Sequence, residues 1–373
     1  MRPLRFVPLF VLGLALALGA APAVAQFSTP PPDQPDLVID ARQRAAVVES
    51  LATKIEAYYV FPDVAKLTAR GLRDRLKKGR YDRITSAKEF EDSLRSDLRL
   101  LAHDLHLRVH YSNRPLPVED ADAPAGGHDR IAAAAERERE AAQLRRLNHG
   151  FERVERLPGN VGYIELRAFD GSPEAGAVAQ AAMTLLARTD AIIFDLRRNG
   201  GGDPNMIALL LSYLYDSDDR VHVNDFYERE GNRTVEYWTS TTAPGPRLPD
   251  VPVYVLTSRR TGSAAEEFAY DIQALKRGTL VGEITAGGAN PGGLYRLNEN
   301  FAAFIATGRA INPVTKTNWE GTGVSPDVSV PADEALGVAH EAALTKLIAG
   351  TEDAELKASR QRALAQVQVR KPS

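Results

Sequence analysis

From Gly159 onward the chain alternates short apolar strands with helices, and few architectures accept that alternation. Val161–Leu166, Ala191–Leu196, Val251–Thr257 and Thr279–Gly282 are β-branched or apolar runs, while Ala177–Ala187, Asn205–Tyr215 and Ser263–Leu275 carry helical spacing. Strands that read as unbroken apolar runs need cover on both faces, so the expectation is an α/β layer fold. No internal repeat is visible.

Upstream the period is helical. Val47, Val48, Leu51, Ile55 and Tyr58 lie three or four apart, and Phe90, Leu94, Leu98 and Leu101 repeat that spacing. Pro62 breaks the first helix, and Ser86 with Glu89 marks a capping box at a later start. Residues 41–112 therefore read as an N-terminal helical domain. Residues 113–157 read as a loop followed by a solvated bridging helix from Arg130 to Leu147. The α/β region is expected over 158–345, and 346–373 as a C-terminal tail.

The first 25 residues read as an export signal, with Arg2 and Arg5 ahead of an apolar stretch and Ala23-Val24-Ala25 as the cleavage site. That leaves Gln26 as the mature start, a proline-rich spacer to residue 40, no membrane span, and a periplasmic or secreted protein. The remainder carries 44 Lys+Arg against 49 Asp+Glu, a mildly acidic balance without basic runs that argues against nucleic acid. The chain has no cysteine, which excludes disulfides, thiol catalysis and thiolate metal sites.

Four segments carry chemistry. Ala191–Leu196 runs into Arg197-Arg-Asn-Gly-Gly-Gly-Asp203, where consecutive glycines let backbone N–H groups approach a ligand. A flexible turn is the bland alternative, and a phosphate loop would want Lys-Ser/Thr after the glycines. Ser263 opens a helix, where orphan N–H groups favour a developing anion, although most serines there only cap. His106 and His110 share a face of a strand that closes the helical domain. With His103 they invite a zinc reading, but nearby Asp104 serves a turn equally well. Glu320, within Asn318-Trp-Glu-Gly-Thr-Gly-Val-Ser-Pro-Asp327, is suited to orienting an imidazole or is an ordinary loop carboxylate.

The Asp-Leu-Arg-x-Asn-Gly-Gly loop at 195–201, the Thr-Gly-Ser-Ala-Ala-Glu-Glu-Phe-Ala-Tyr-Asp run at 261–271, Gly282–Ala289 and Glu320–Asp327 fall in the order seen in the tail-specific (carboxy-terminal processing) serine peptidases. Leu157–Tyr163 resembles the entry to the same domain, and the resemblance spans about 41–345. It implies a crotonase-like α/β spiral of ββα units beside the helical domain, and a hydrolase needing no metal or cofactor.

Dyad members of that family place a lysine about 25 residues after the serine. Here Gly287-Gly288 stands at that place, and the nearby lysine, Lys276, comes 13 residues after Ser263. The roughly 45 residues between Tyr111 and Gly159 leave little room for a PDZ domain beside the bridging helix. The chain is instead similar to the branch of the interphotoreceptor retinoid-binding protein and the tricorn-type peptidases. That resemblance implies Ser263 as nucleophile, His106 as base, Glu320 as its orienter, and an oxyanion hole from Ala264 with Gly201 or Gly202. The implied substrate is a peptide or an unfolded chain end. The same branch implies a rival, a non-catalytic carrier of fatty acids, retinoid-like or other apolar ligands.

Overall fold

The computed structural model describes residues 34–104, 106–116, 138–139 and 141–369. The signal segment, the spacer to residue 33, and most of the loop and bridging helix lie outside the described residues.

Three helices come first: α1 (Ala41–Tyr58), α2 (Pro62–Lys77) and α3 (Ala87–Ala102). Asp40 caps α1 by accepting from Gln43 N while the Gln43 side chain answers Asp40 N, and Ser86 caps α3 through Glu89 N. β1 (Arg108–Tyr111) follows. Its ladder partner is β10 (Phe301–Ala306), with Arg108 opposite Phe304 and Tyr111 opposite Phe301, and β9 (Gly292–Arg296) lies beyond it. One apolar cluster joins Val47, Leu51, Phe90 and Leu94 to Phe301, Ala303 and Ile305. The expected division at residue 112 is therefore not where contacts end: the helical unit is completed by strands from nearly 200 residues later.

The main sheet has the order β12-β8-β7-β4-β3-β2, built from β2 (Phe151–Leu157), β3 (Val161–Leu166), β4 (Ala191–Asp195), β7 (Val253–Thr257), β8 (Gly278–Gly282) and β12 (Val328–Ser329). Only β2–β3 is antiparallel. Alternate side chains serve opposite layers, as the strand period requires. Ile192, Phe194, Val253 and Val255 join one core with α4 (Pro173–Leu185), α5 (Pro204–Ser212) and α6 (Ala264–Ala274). Ile193, Tyr254 and Leu256 face α7 (Ala335–Ala349) and α8 (Ala354–Val369). Burial on both faces is why these strands read as continuous apolar runs.

The stretch read as a tail contains α8, whose Ala363 and Val367 are buried and whose Arg360 donates to Asp190 Oδ2 at 2.6 Å. A third sheet pairs β5 (His222–Glu228) with β6 (Arg233–Trp238) and β11 (Gly308–Ile311).

Candidate active site

β4 and β7 are parallel neighbours, so the loops that leave their carboxyl ends meet. The glycine loop and the loop leading to Ser263 are laced together. Gly262 N donates to Asn199 O (3.1 Å), Thr261 Oγ1 to Leu196 O (2.8 Å) and Ser258 Oγ to Arg197 O (2.6 Å). Gly201 packs so tightly that a Cβ there would lie 2.8 Å from the Ser263 Cβ. Only glycine serves at that contact.

Ser263 is not shaped as a plain N-cap. The caps of α1, α3, α4 and α5 have φ between −95° and −67°, whereas Ser263 has φ 53° and ψ −124°. Such a backbone is costly for a residue with a Cβ and persists only where its surroundings hold it. The surroundings are identifiable. Ser263 N–H donates to Glu266 Oε2 at 2.9 Å, and the serine itself is exposed at the head of α6.

Glu266 is fully buried yet well provided with donors. Its Oε2 also accepts from Gly288 N (2.9 Å), and its Oε1 from Gly287 N (2.6 Å) and Thr285 Oγ1 (2.5 Å). Burial pushes its carboxyl above the ordinary glutamate range, and the four hydrogen bonds pull against that. One carboxylate thus pins the turn before α6 to the loop after β8. Sequence reasoning missed this role, although Ser-x-x-Glu at 263–266 carries the capping-box signal.

The loop after β8 leads to the histidine. A Cβ on Gly288 would sit 2.5 Å from both Nε2 and Cε1 of His106, so the imidazole fills the space a side chain at 288 would need. This explains in physical terms why Gly288 and His106 occur together: a lysine side chain at 288 and an imidazole from 106 compete for one volume. Lys276 lies beyond the far end of α6, whose 11 residues span about 16 Å.

On its other side, His106 Nδ1 faces Glu320 Oε2 at 3.5 Å, longer than a normal hydrogen bond. The same oxygen accepts from Ala289 N (2.7 Å) and Asn290 N (3.0 Å), which fix the carboxylate between loop and ring. Burial acts to raise the Glu320 carboxyl, but His106 and the two amides outweigh it and hold it below the ordinary range. Asp104 is the second residue that sequence reasoning undervalued. Its Oδ1 accepts from His106 N (2.8 Å) and Leu107 N (3.2 Å), and its Oδ2 from Tyr59 OH (2.9 Å), so the helical unit reaches into the site.

Asp104, His106 and Glu320 each offer a ligand atom, all within 4.8 Å of one another. The Asp104 oxygens and Glu320 Oε2 there already accept N–H and O–H donors. Among the described residues, His103 and His110 do not join that group. His103 caps α3 in a left-handed conformation, and burial beside Arg108 and Arg95 pushes His110 down to about 4.

Of the glycine amides, Gly201 N–H already donates to Asn199 Oδ1 at 2.8 Å, which removes it from the expected oxyanion donors. Gly202 is exposed beside it, with φ 145°, held by Phe169 N→Gly201 O (2.9 Å) and Asp203 N→Phe169 O (2.7 Å). Ala264 begins α6, so its N–H is among those with no partner inside the helix.

Comparison with known proteins accords with this arrangement. Residues 160–330 match the model of peptidase family S41, and residues 37–149 match the N-terminal domain of that family as found in eukaryotic IRBP. Carboxyl-terminal-processing peptidase 2, chloroplastic, of Arabidopsis thaliana is 29% identical over 189 residues, covering 47% of this chain and 34% of that protein. The carboxyl-terminal-processing protease of Synechocystis sp. is 31% identical over 208 residues, covering 52% and 45%. The matched stretch thus spans under half the length of these relatives. The solved structure of an inferred peptidase from Parabacteroides merdae shares the fold, with a TM-score of 0.57 at 20% identity over 81% of this chain and 97% of that one. The two tandem matches cover both units whose loops converge here, and on that ground the chain belongs to peptidase family S41.

Proposed function

We propose that the chain is an exported serine endopeptidase in which Ser263 is the nucleophile, His106 its base and Glu320 the group that orients the imidazole. One observation carries the reading. A single Glu266 oxygen holds both Ser263 N–H and Gly288 N–H, and Gly288 lacks the side chain that would fill the place of His106 Nε2. The strained serine and the imidazole nitrogen are therefore fastened to the same short span of structure.

The chemistry follows from those positions. With Nδ1–H directed at Glu320, Nε2 presents its lone pair and takes the proton as Ser263 Oγ attacks the scissile carbonyl. The oxyanion gains the N–H groups of Ala264 and Gly202, each worth about 3 kcal/mol when preorganised. The imidazolium then gives its proton to the leaving amine, and water repeats the sequence on the acyl-serine. The processing enzymes among the relatives suggest chain ends or unfolded peptides as substrate. Residues 1–25 would be removed on export. Among the described residues, no helix is long and apolar enough to cross a membrane.

The full mature chain should hydrolyse an unfolded protein such as reduced casein, and Ser263→Ala should remove that hydrolysis. An absence of hydrolysis, together with tight binding of a fluorescent fatty acid that Ser263→Ala leaves unchanged, would instead establish the carrier reading.

A further inference from the structure

The opposite face of α6 carries an arrangement that the peptidase reading does not use. Glu267 and Asp271, one turn apart, are 2% and 0% exposed. Asn224 on β5 is wholly buried and lies against Glu267, and the Tyr215 hydroxyl lies within the field of Asp271. Glu267 Oε1, Asp271 Oδ2, both polar atoms of the Asn224 amide and the Tyr215 hydroxyl are buried with no completed hydrogen bond. Among the described residues these are five of twelve such atoms, and Asn312 Nδ2, donating to both Asp271 Oδ1 and Val223 O, places this part of β5 beside the helix.

Such a concentration is not tolerable as it stands, because each unsatisfied buried polar atom is costly and an unneutralised buried carboxylate more so. The groups whose charge or hydrogen bonding bears on the two carboxyls are Asn224, Asp203 and Asn312, none of them cationic. Arg277, whose charge acts on Tyr215, spends its guanidinium on the carbonyls of Leu214, Val251 and Leu248. Of the carboxylate oxygens, Asn312 Nδ2 satisfies only Asp271 Oδ1, at 2.9 Å. Burial pushes both carboxyls above their ordinary ranges, and protons held there would satisfy some of the orphan atoms one pair at a time. A cation can take all of the acceptor oxygens together.

We propose that Glu267 Oε1, Asp271 Oδ2 and Asn224 Oδ1, with the Tyr215 hydroxyl alongside, form an internal site for a calcium ion that ties the nucleophile helix to β5. The donor set is all oxygen with two carboxylates, which selects a hard cation. The burial favours calcium over magnesium, because magnesium keeps several of its waters. The ion is structural and takes no part in the serine chemistry, so the proposal stands whether or not Ser263 proves to be the nucleophile.

The test uses the full mature chain, first stripped with EGTA and dialysed. Calcium chloride should then raise the melting temperature by roughly 5 °C or more at a hundredfold excess over its Kd, and elemental analysis should find about one calcium per chain. Asp271→Asn and Glu267→Gln should each abolish the calcium-dependent shift. Absence of both bound calcium and a shift in the wild type would overturn the proposal without reference to any variant. So would a shift that persists in both variants, which would mark an unrelated surface site. A wild type that does not respond to calcium, with both variants as stable as it or more so, would assign the cluster to protonated carboxyls instead.

Discussion

His106→Ala is expected to lower kcat toward unfolded peptides by about six orders of magnitude, close to the loss from Ser263→Ala, because nucleophile and base act as one unit. Glu320→Gln should cost less, about four orders, since the imidazole remains but loses the carboxylate that supports its useful tautomer and its charge. Lys276→Ala should leave kcat within a factor of two, because that side chain lies past the C-terminal end of α6. The melting temperatures of all four variants should stay near that of the wild type, since Ser263 and Lys276 are exposed and the other two side chains reach the surface. Steady-state kinetics beside thermal melts checks the whole series. A His106→Ala enzyme within tenfold of wild type would exclude the histidine as base.

The second large effect belongs to a residue that never touches substrate. Glu266→Ala should lower kcat by at least a hundredfold and stability by about 3 kcal/mol, a fall in melting temperature of roughly 5–10 °C. Four donors, three of them buried, from Ser263 N, Gly288 N, Gly287 N and Thr285 Oγ1, would lose their acceptor at once. Glu266→Gln keeps the shape but turns one acceptor into a donor, at best facing the Gly287 N–H and the Thr285 hydroxyl, so it should rescue only part of either loss. Thermal melts and kinetics on both variants read the two effects separately. A glutamine variant with wild-type stability and rate would show that the four bonds do not hold the site.

The strands that position Ser263 and the glycine loop are legible in the sequence, because burial on both faces leaves an unbroken apolar run. Ala191–Leu196 was expected and Ala191–Asp195 is found; Val251–Thr257 was expected and Val253–Thr257 is found. A strand closing the helical domain was expected through His106 and His110; β1 is found at Arg108–Tyr111, which leaves His106 on the loop before it, and its pairing with β10 and β9 was not legible. These strands are short and lie in parts of the sequence far apart, and only the fold brings Arg108 opposite Phe304. Helix α8 reads as a tail because only Arg360, Ala363 and Val367 along it are buried, too sparse a stripe for a clear period.

At the site, the resemblance to the family pointed to Ser263, His106 and Glu320, where residue types alone left a cap, a strand histidine and a loop acid. His106 and Glu320 do face each other. The restraints on them were hidden, since a buried carboxylate such as Glu266 or Asp104 looks in sequence like any cap or turn acid. The strain at Ser263 is a backbone property and carries no residue signature. The commitment of Gly201 N–H to Asn199 likewise depends on how a single turn folds.

The most direct test of the central claim needs no knowledge of the substrate. A fluorophosphonate probe reacts quickly only with an activated hydroxyl, and intact-mass analysis counts the adducts. The account predicts one adduct per wild-type chain, located at Ser263 by peptide mapping, with labelling abolished in Ser263→Ala and nearly abolished in a folded His106→Ala. Labelling of Ser263 that proceeds at the wild-type rate without His106, or no labelling of a folded wild-type chain, would contradict it.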